Sequence, residues 1–170
     1  MLKKLALGAS ALVMTASVAT AEEMVDSIHF LIPGGAGGGW DGTARGTGEA
    51  LTGAGIIGSA SYENMSGGGG GVAIGHLIEN ADSMGGTLMV NSTPIVIRSL
   101  QGVFPYNFSD LTMIAGTIGD YAAFVVKADS PYKSFNDFMT AYKGDPRSVA
   151  VGGGSAPGSM DHLVPAMAVQ

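Results

Sequence analysis

The groups this sequence sets out for chemistry are backbone amides more than charged side chains. Three loops, at residues 33–40 (PGGAGGGW), 91–94 (NSTP) and 152–159 (GGGSAPGS), each follow a strand-like run and open a helix-like one. A fourth, at 66–71 (SGGGGG), opens another helix. The first turn of a helix has unpaired N–H groups and carries about half a positive charge. Glycine lets a ligand approach that backbone closely. Several helix starts facing one crevice therefore hold an anion without basic side chains. A charged hydrogen bond contributes about 1.5–3 kcal/mol and micromolar affinity needs about 8 kcal/mol, so about four to six donors suffice.

Strands and helices must alternate to bring those loops together. Strands are expected over 27–32, 56–63, 87–90, 111–115, 122–127 and 148–151, from short apolar runs bounded by Pro, Gly, Asn and Ser. Helices are expected over 40–51, 72–80 and 94–100, from Ser134 as cap to about Tyr142, and entering Asp161, His162 and Leu163. Gly42, Gly46 and Gly48 each weaken the first helix by about 1 kcal/mol relative to alanine. Their presence suits a helix backbone lying close against a sheet or a ligand. The β-loop-α order predicts an α/β fold with mostly parallel strands, whose helix-opening loops leave at the carboxyl edge, where ligands bind.

Composition sets the outer bounds. The chain has 170 residues, 46% of them hydrophobic, with 28 glycines, no cysteine and a formal charge of −6. That length allows one ordinary domain. Absence of cysteine excludes disulfide scaffolds, thiolate catalysis and zinc sites built on Cys. An acidic chain with no basic stripe speaks against nucleic-acid partners. Residues 1–21 read as a secretory signal: Lys3 and Lys4, an apolar stretch, then Ala19-Thr20-Ala21. The apolar part is short for a spanning helix, which needs about 20 residues. Cleavage removes two lysines, taking the charge from −6 to −8 and giving a soluble, exported, acidic protein. At the other end, 164–170 stops within an apolar helical stretch without a capping glycine. It reads as a chain interrupted inside its last βα unit, against the alternative of a natural end docked in a core.

Two catalytic readings compete with anion binding. Residues 37–42 match G-x-G-x-x-G after a strand, and Glu63 follows about 20 residues on, the pattern of a Rossmann-type dinucleotide-binding oxidoreductase. Asp41 would then stand where a pyrophosphate approaches. A hydrolase could draw on the serines and on His29, His76 and His162. Yet no G-x-S-x-G elbow and no metal-ligand spacing occurs, so no catalytic residue, metal or cofactor is assigned.

Pro33-Gly34-Gly35 with Trp40-Asp41 and Ala44-Arg45, then residues 62–69, 81–88 and 152–159 with His162-Leu163, taken in order resemble the Bug-type extracytoplasmic receptors, the solute-binding proteins of tripartite tricarboxylate transporters. The first of these resembles their PGG…D…AR opening. Residues 62–69 (YENMSGGG) are similar to VENRPGAGG, with Met65 and Ser66 in place of arginine and proline. Residues 81–88 (ADSMGGTL) are similar to APDGYTL with an insertion, and 152–159 with His162-Leu163 to GSAG…HL. The resemblance spans nearly all of the mature chain and about the first half of the family's length. It implies a periplasmic-binding-protein type II fold, two α/β lobes with mostly parallel sheets closing like a clamp. Residues 22–123 would then form lobe one, and 124–170 the hinge crossing and the start of an incomplete lobe two. It also implies a periplasmic receptor, not an enzyme. Such a receptor binds a small di- or tricarboxylate and delivers it to a permease of one large and one small membrane subunit.

On that resemblance, Gly34, Gly35, Ala36, Gly37, Gly38 and Gly39 would donate amides to one carboxylate. Trp40 would either cover the ligand or pack beneath the loop. Asp41 would cap its helix and pair with Arg45 four residues on. Ser92 and Thr93 would offer hydroxyls from lobe one, and Ser155, Ala156, Gly158 and Ser159 would grip the other end. Arg98 reads as a solvated helix position more than as a partner for a further carboxylate. His29 and His76 read as structural, and His162 as support behind the ligand-binding loop.

Overall fold

A computed structural model describes residues 24–155 and 157–170. Residues 1–23, with the expected signal segment, and Ala156 lie outside the described residues.

The centre is a three-stranded parallel sheet in the order β2-β1-β3. Strand β1 (Val25–Ile32) pairs with β2 (Ile57–Asn64) from Val25–Ile57 to Ile32–Asn64, and with β3 (Thr87–Met89) at His29–Thr87, Phe30–Leu88 and Leu31–Met89. Being central, β1 is apolar on both faces at its carboxyl end, and Phe30, Leu31 and Ile32 are fully buried. Such burial on both sides is usual for parallel sheets covered by helices.

One face carries α1 (Gly39–Gly53). Its Ala44 packs with Phe30 and Ile32, flanked by Trp40, Leu51, Ala60, Tyr62, Leu88 and Val90. Phe30 and Tyr62 stack with centroids 5.5 Å apart. The glycines of α1 divide sharply. At Gly48 a Cβ would run into the Tyr62 hydroxyl and Ala60, so close approach to β2 explains it. Gly42 and Gly46 have nothing within 4 Å of that position, so the expectation of close contact fails for them. Beyond the sheet, α2 (Gly71–Glu79) buries Ala73 and Ile74, and α3 (Thr93–Leu100) buries Ile95. These six elements match the expected ones to within a residue or two.

The remainder behaves differently. The strands expected over 111–115, 122–127 and 148–151 are absent. An apolar run becomes a strand only beside a partner, and among the described residues none pairs with these segments. Tyr121 is 93% exposed and Val125 86%. Residues Pro146–Ser148 form a 3-10 turn instead, with the Asp145 side chain accepting from the Arg147 amide. The helices here do form. In α4 (Phe135–Gly144), the Ser134 hydroxyl accepts from the Asp137 amide while Asp137 accepts from the Ser134 amide, a reciprocal cap. The Lys133 amide also donates to Asp137, and these bonds lower the pKa of its carboxyl. The last helix, α5 (Met160–Ala168), contains Pro165, whose missing N–H frees the carbonyl of Asp161.

Candidate functional site

The carboxyl ends of β1, β2 and β3 lead into the loops 33–40, 66–71 and 91–94, which meet at one edge. The Met65 amide donates to the Ile32 carbonyl at 2.8 Å, joining the first two. A Cβ at Gly70 would sit 3.5 Å from Pro33 and 3.9 Å from the Trp40 ring. The Trp40 indole N–H donates to the Ser92 hydroxyl oxygen at 2.9 Å, joining the third. Trp40 also packs against Gly34, where a Cβ would lie 3.0 Å from its ring, and against the core below. Of the two placements open for Trp40, the structure shows the one beneath the loop.

Asp41 organises the first loop. It is 5% exposed, and its carboxylate accepts from the Gly37 amide at 2.9 Å, from Arg45 Nε at 3.0 and 3.1 Å, and from Asn64 Nδ2 at 3.0 Å. The Arg45 bond, then those from Gly37 and Asn64, lower its pKa to about 2. Asp41 does not cap α1 as expected: Gly38 occupies the cap position with extended backbone and no side-chain bond. As the third residue of the helix, Asp41 reaches back past the cap to Gly37. The expected pair with Arg45 is present, and Arg45 also lies over the Tyr62 ring, 4.8 Å from its centroid. Asn64 spans from Asp41 to the Gly34 carbonyl at 3.0 Å. Sequence reasoning missed Asn64; its place at the carboxyl end of β2, facing the loop after β1, was the available signal.

This bracing consumes some donors and leaves others. Gly37 is spent on Asp41, and Gly38 bonds the Gly35 carbonyl at 3.2 Å. The amides of Gly35, Ala36 and Gly39 have no hydrogen-bond partner among the described residues. Ser92 accepts from Trp40 but keeps its own proton to donate, and Thr93 is exposed at the start of α3. Gly67, Gly68, Gly69 and Gly70 all have positive φ (144°, 58°, 68° and 100°), which curls the second loop against Pro33 and Val72. Backbone like that at Gly67 and Gly70 is open to glycine as to no other residue.

The fourth loop, 152–159, joins through α3. The Gly154 amide and Ser155 hydroxyl donate to Asp161 at 3.1 and 2.8 Å, so both are already engaged. The Gly158 amide donates to His162 Nδ1 at 2.9 Å. Ser159 is 3% exposed, and its carbonyl accepts from His162 and Leu163. Arg98 is half-buried, not solvated as expected: its Nε is sealed against Gly69 and its Nη1 donates to the Pro157 carbonyl at 3.1 Å. Nothing in the spacing of α3 reveals this, because the partner lies 59 residues away. His29 contacts Ser61 at 2.8 Å and Glu63 at 3.4 Å, on the sheet surface and apart from the loops.

A cavity of about 620 Å³ borders the fourth loop, with Gly152, Gly153 and Gly154 in its wall beside Phe124, Phe135, Phe138 and Lys133. It is the hollow between the unpaired segments and α4 and α5. Its wall is largely apolar, and the Asp161 carboxylate in it already takes the Gly154 amide, so the sheet edge is the better candidate for an anion despite lacking enclosure.

A parallel α/β unit with amide-rich loops gathered at one strand end defines a binding module. Residues 44–168 match the family model described as tripartite tricarboxylate transporter family receptor, and the chain belongs to that family. Its members are periplasmic transport receptors, not enzymes. Comparison with curated proteins and with solved structures finds no match. The dinucleotide reading finds no support. Asp41 is turned onto Gly37, placing a carboxylate on an amide that a pyrophosphate would need.

Proposed function

We propose that the chain is the periplasmic receptor of a tripartite transporter and captures a small di- or tricarboxylate of the citrate class. The observation that supports this most is the set of unpartnered amides at Gly35, Ala36 and Gly39, at the start of α1. Gly35 lies near Ser66 of the glycine loop, and the Trp40 indole ties the same segment to the Ser92 hydroxyl. One carboxylate is received there by backbone donors and the positive end of the helix. Asp41 does not repel it outright, since Arg45 and Asn64 neutralise and hold that carboxylate. In this reading residues 22–123 form the first lobe, 124–170 begin the second, and residues 1–21 are the export signal. Residues of 152–159, Ala156 among them, contact the far end of the ligand on closure, and the loaded receptor docks on a permease of one large and one small membrane subunit.

A ligand bound only by the native state raises its melting temperature by mass action. Citrate at a hundred times its dissociation constant should add about 2.7 kcal/mol, read as an upward shift in differential scanning fluorimetry. No shift with citrate or other small acids, but one with NAD, would reverse the assignment. Incubation without turnover of any acid accords with a receptor.

A further inference from the structure

We propose that Arg98 and Gln101, at the end of α3, form a latch that holds the 152–159 loop beside the sheet-edge loops. The latch rests on the receptor reading for its purpose: it sets how long a captured carboxylate is retained. Arg98 Nη1 donates to the Pro157 carbonyl at 3.1 Å and to Gln101 Oε1 at 3.2 Å. Gln101 Nε2 then donates to the Gly158 carbonyl at 2.9 Å. Two side chains of one helix thus grasp consecutive carbonyls of a loop 57–59 residues further on.

Each side of the contact is braced. Behind Arg98 lies Gly69, where a Cβ would come 3.0 Å from Nε, and that Nε has no hydrogen-bond partner. Leaving a charged N–H dry is costly, and a position needed only for surface charge would leave it in water. The guanidinium is turned so that its far nitrogen reaches Pro157. On the loop side, Gly158 has φ +81°, and a Cβ there would collide with Gln101. Its amide is fixed by His162 Nδ1. The bonds of Gly154, Ser155 and the Gly158 amide, to Asp161 and His162, are local. Arg98 and Gln101 are therefore positioning residues, acting on the ligand through the loop.

Gln101→Glu tests this with almost no change in shape: it can still accept from Arg98 but has lost the donor for Gly158. Arg98→Ala, beside Arg98→Lys as the conservative rescue, gives the second arm. Amide hydrogen exchange at 158–159 is measured on the ligand-free chain, and citrate release is followed through Trp40, the one tryptophan in the sequence. In Gln101→Glu, loop exchange should quicken and citrate dissociation accelerate, each about tenfold, as expected for loss of a polar contact of about 1.4 kcal/mol. Association should stay near wild type, since interface changes act mostly on release, and the ligand-free melt should hold. Arg98→Lys should restore part of what Arg98→Ala loses. Unchanged loop exchange overturns the latch whether or not citrate binds. Faster exchange with unchanged citrate release overturns its role in retention. Faster exchange with no citrate response in wild type keeps the latch and overturns the citrate reading instead.

Discussion

Residues 24–110 and 111–170 are written in the same pattern of apolar runs, glycine loops and capped helices, yet they reach different ends. In the first, β1 gives two neighbours a ladder, and among the described residues every buried hydrophobic one lies between Phe30 and Ile95. In the second, α4 carries a reciprocal cap but the apolar runs stay unpaired, and Phe124, Val125 and Val126 remain exposed. A cap needs only residues within one turn. A strand needs a partner that its own sequence cannot supply. Local order therefore survives in both halves of the described residues, while cooperative packing is confined to the half with a central strand.

The largest test of that contrast is a pair of truncations. Phe30→Ala should cost about 3–5 kcal/mol, as large core-to-cavity changes do. Phe135→Ala, at a side chain 45% exposed, should cost well under that. Paired urea melts measure both. Comparable losses would mean that the second half shares the cooperative core.

Asp41→Asn comes next, and its signature is a pH dependence. The folded carboxyl has its pKa lowered to about 2, so its contribution is present above the unfolded value near 4 and fades as pH falls through 2. Wild type should exceed the variant by a constant margin from pH 7 to about 5, and the two should converge between about pH 4 and 2. Thermal melts at stepped pH read this, and a margin that persists at pH 2 would deny Asp41 its place in the first loop.

How much was legible beforehand follows from reach. The ends of β1 and β2, the start of α1 and the Ser134 cap were readable, because Pro33, the glycines and the Ser134–Asp137 spacing act over a few residues. The absent strands were not, since 122–127 has the same composition whether or not a neighbour lies alongside. The site divides in the same way. The i, i+4 pair of Asp41 and Arg45 was visible in the spacing. The Asn64 bridge and the Arg98 contact join residues 23 and 59 apart, and only the folded chain brings them together.

Two smaller changes sharpen the comparison. Ser134→Ala should cost about 1 kcal/mol and loosen α4 alone, seen as faster exchange over Phe135–Gly144 with β1 unaffected. Gly46→Ala, where a Cβ meets nothing within 4 Å, should instead stabilise by up to about 1 kcal/mol. A destabilised Gly46→Ala in the same urea assay would show a neighbour that the static packing does not contain.

The four positive-φ glycines at 67–70, within a run of five at 67–71, have a consequence for how this chain tolerates variation. Gly67 and Gly70, at φ 144° and 100°, are closed to side chains by conformation, while at Gly69, φ 68°, a Cβ would press on the Arg98 side chain. Gly68, at φ 58° with empty space around it, admits an asparagine. A saturation library would therefore show forbidden columns at Gly67 and Gly70, a costly one at Gly69 and a permissive one at Gly68, a fingerprint that a floppy polyglycine spacer of equal length would never leave.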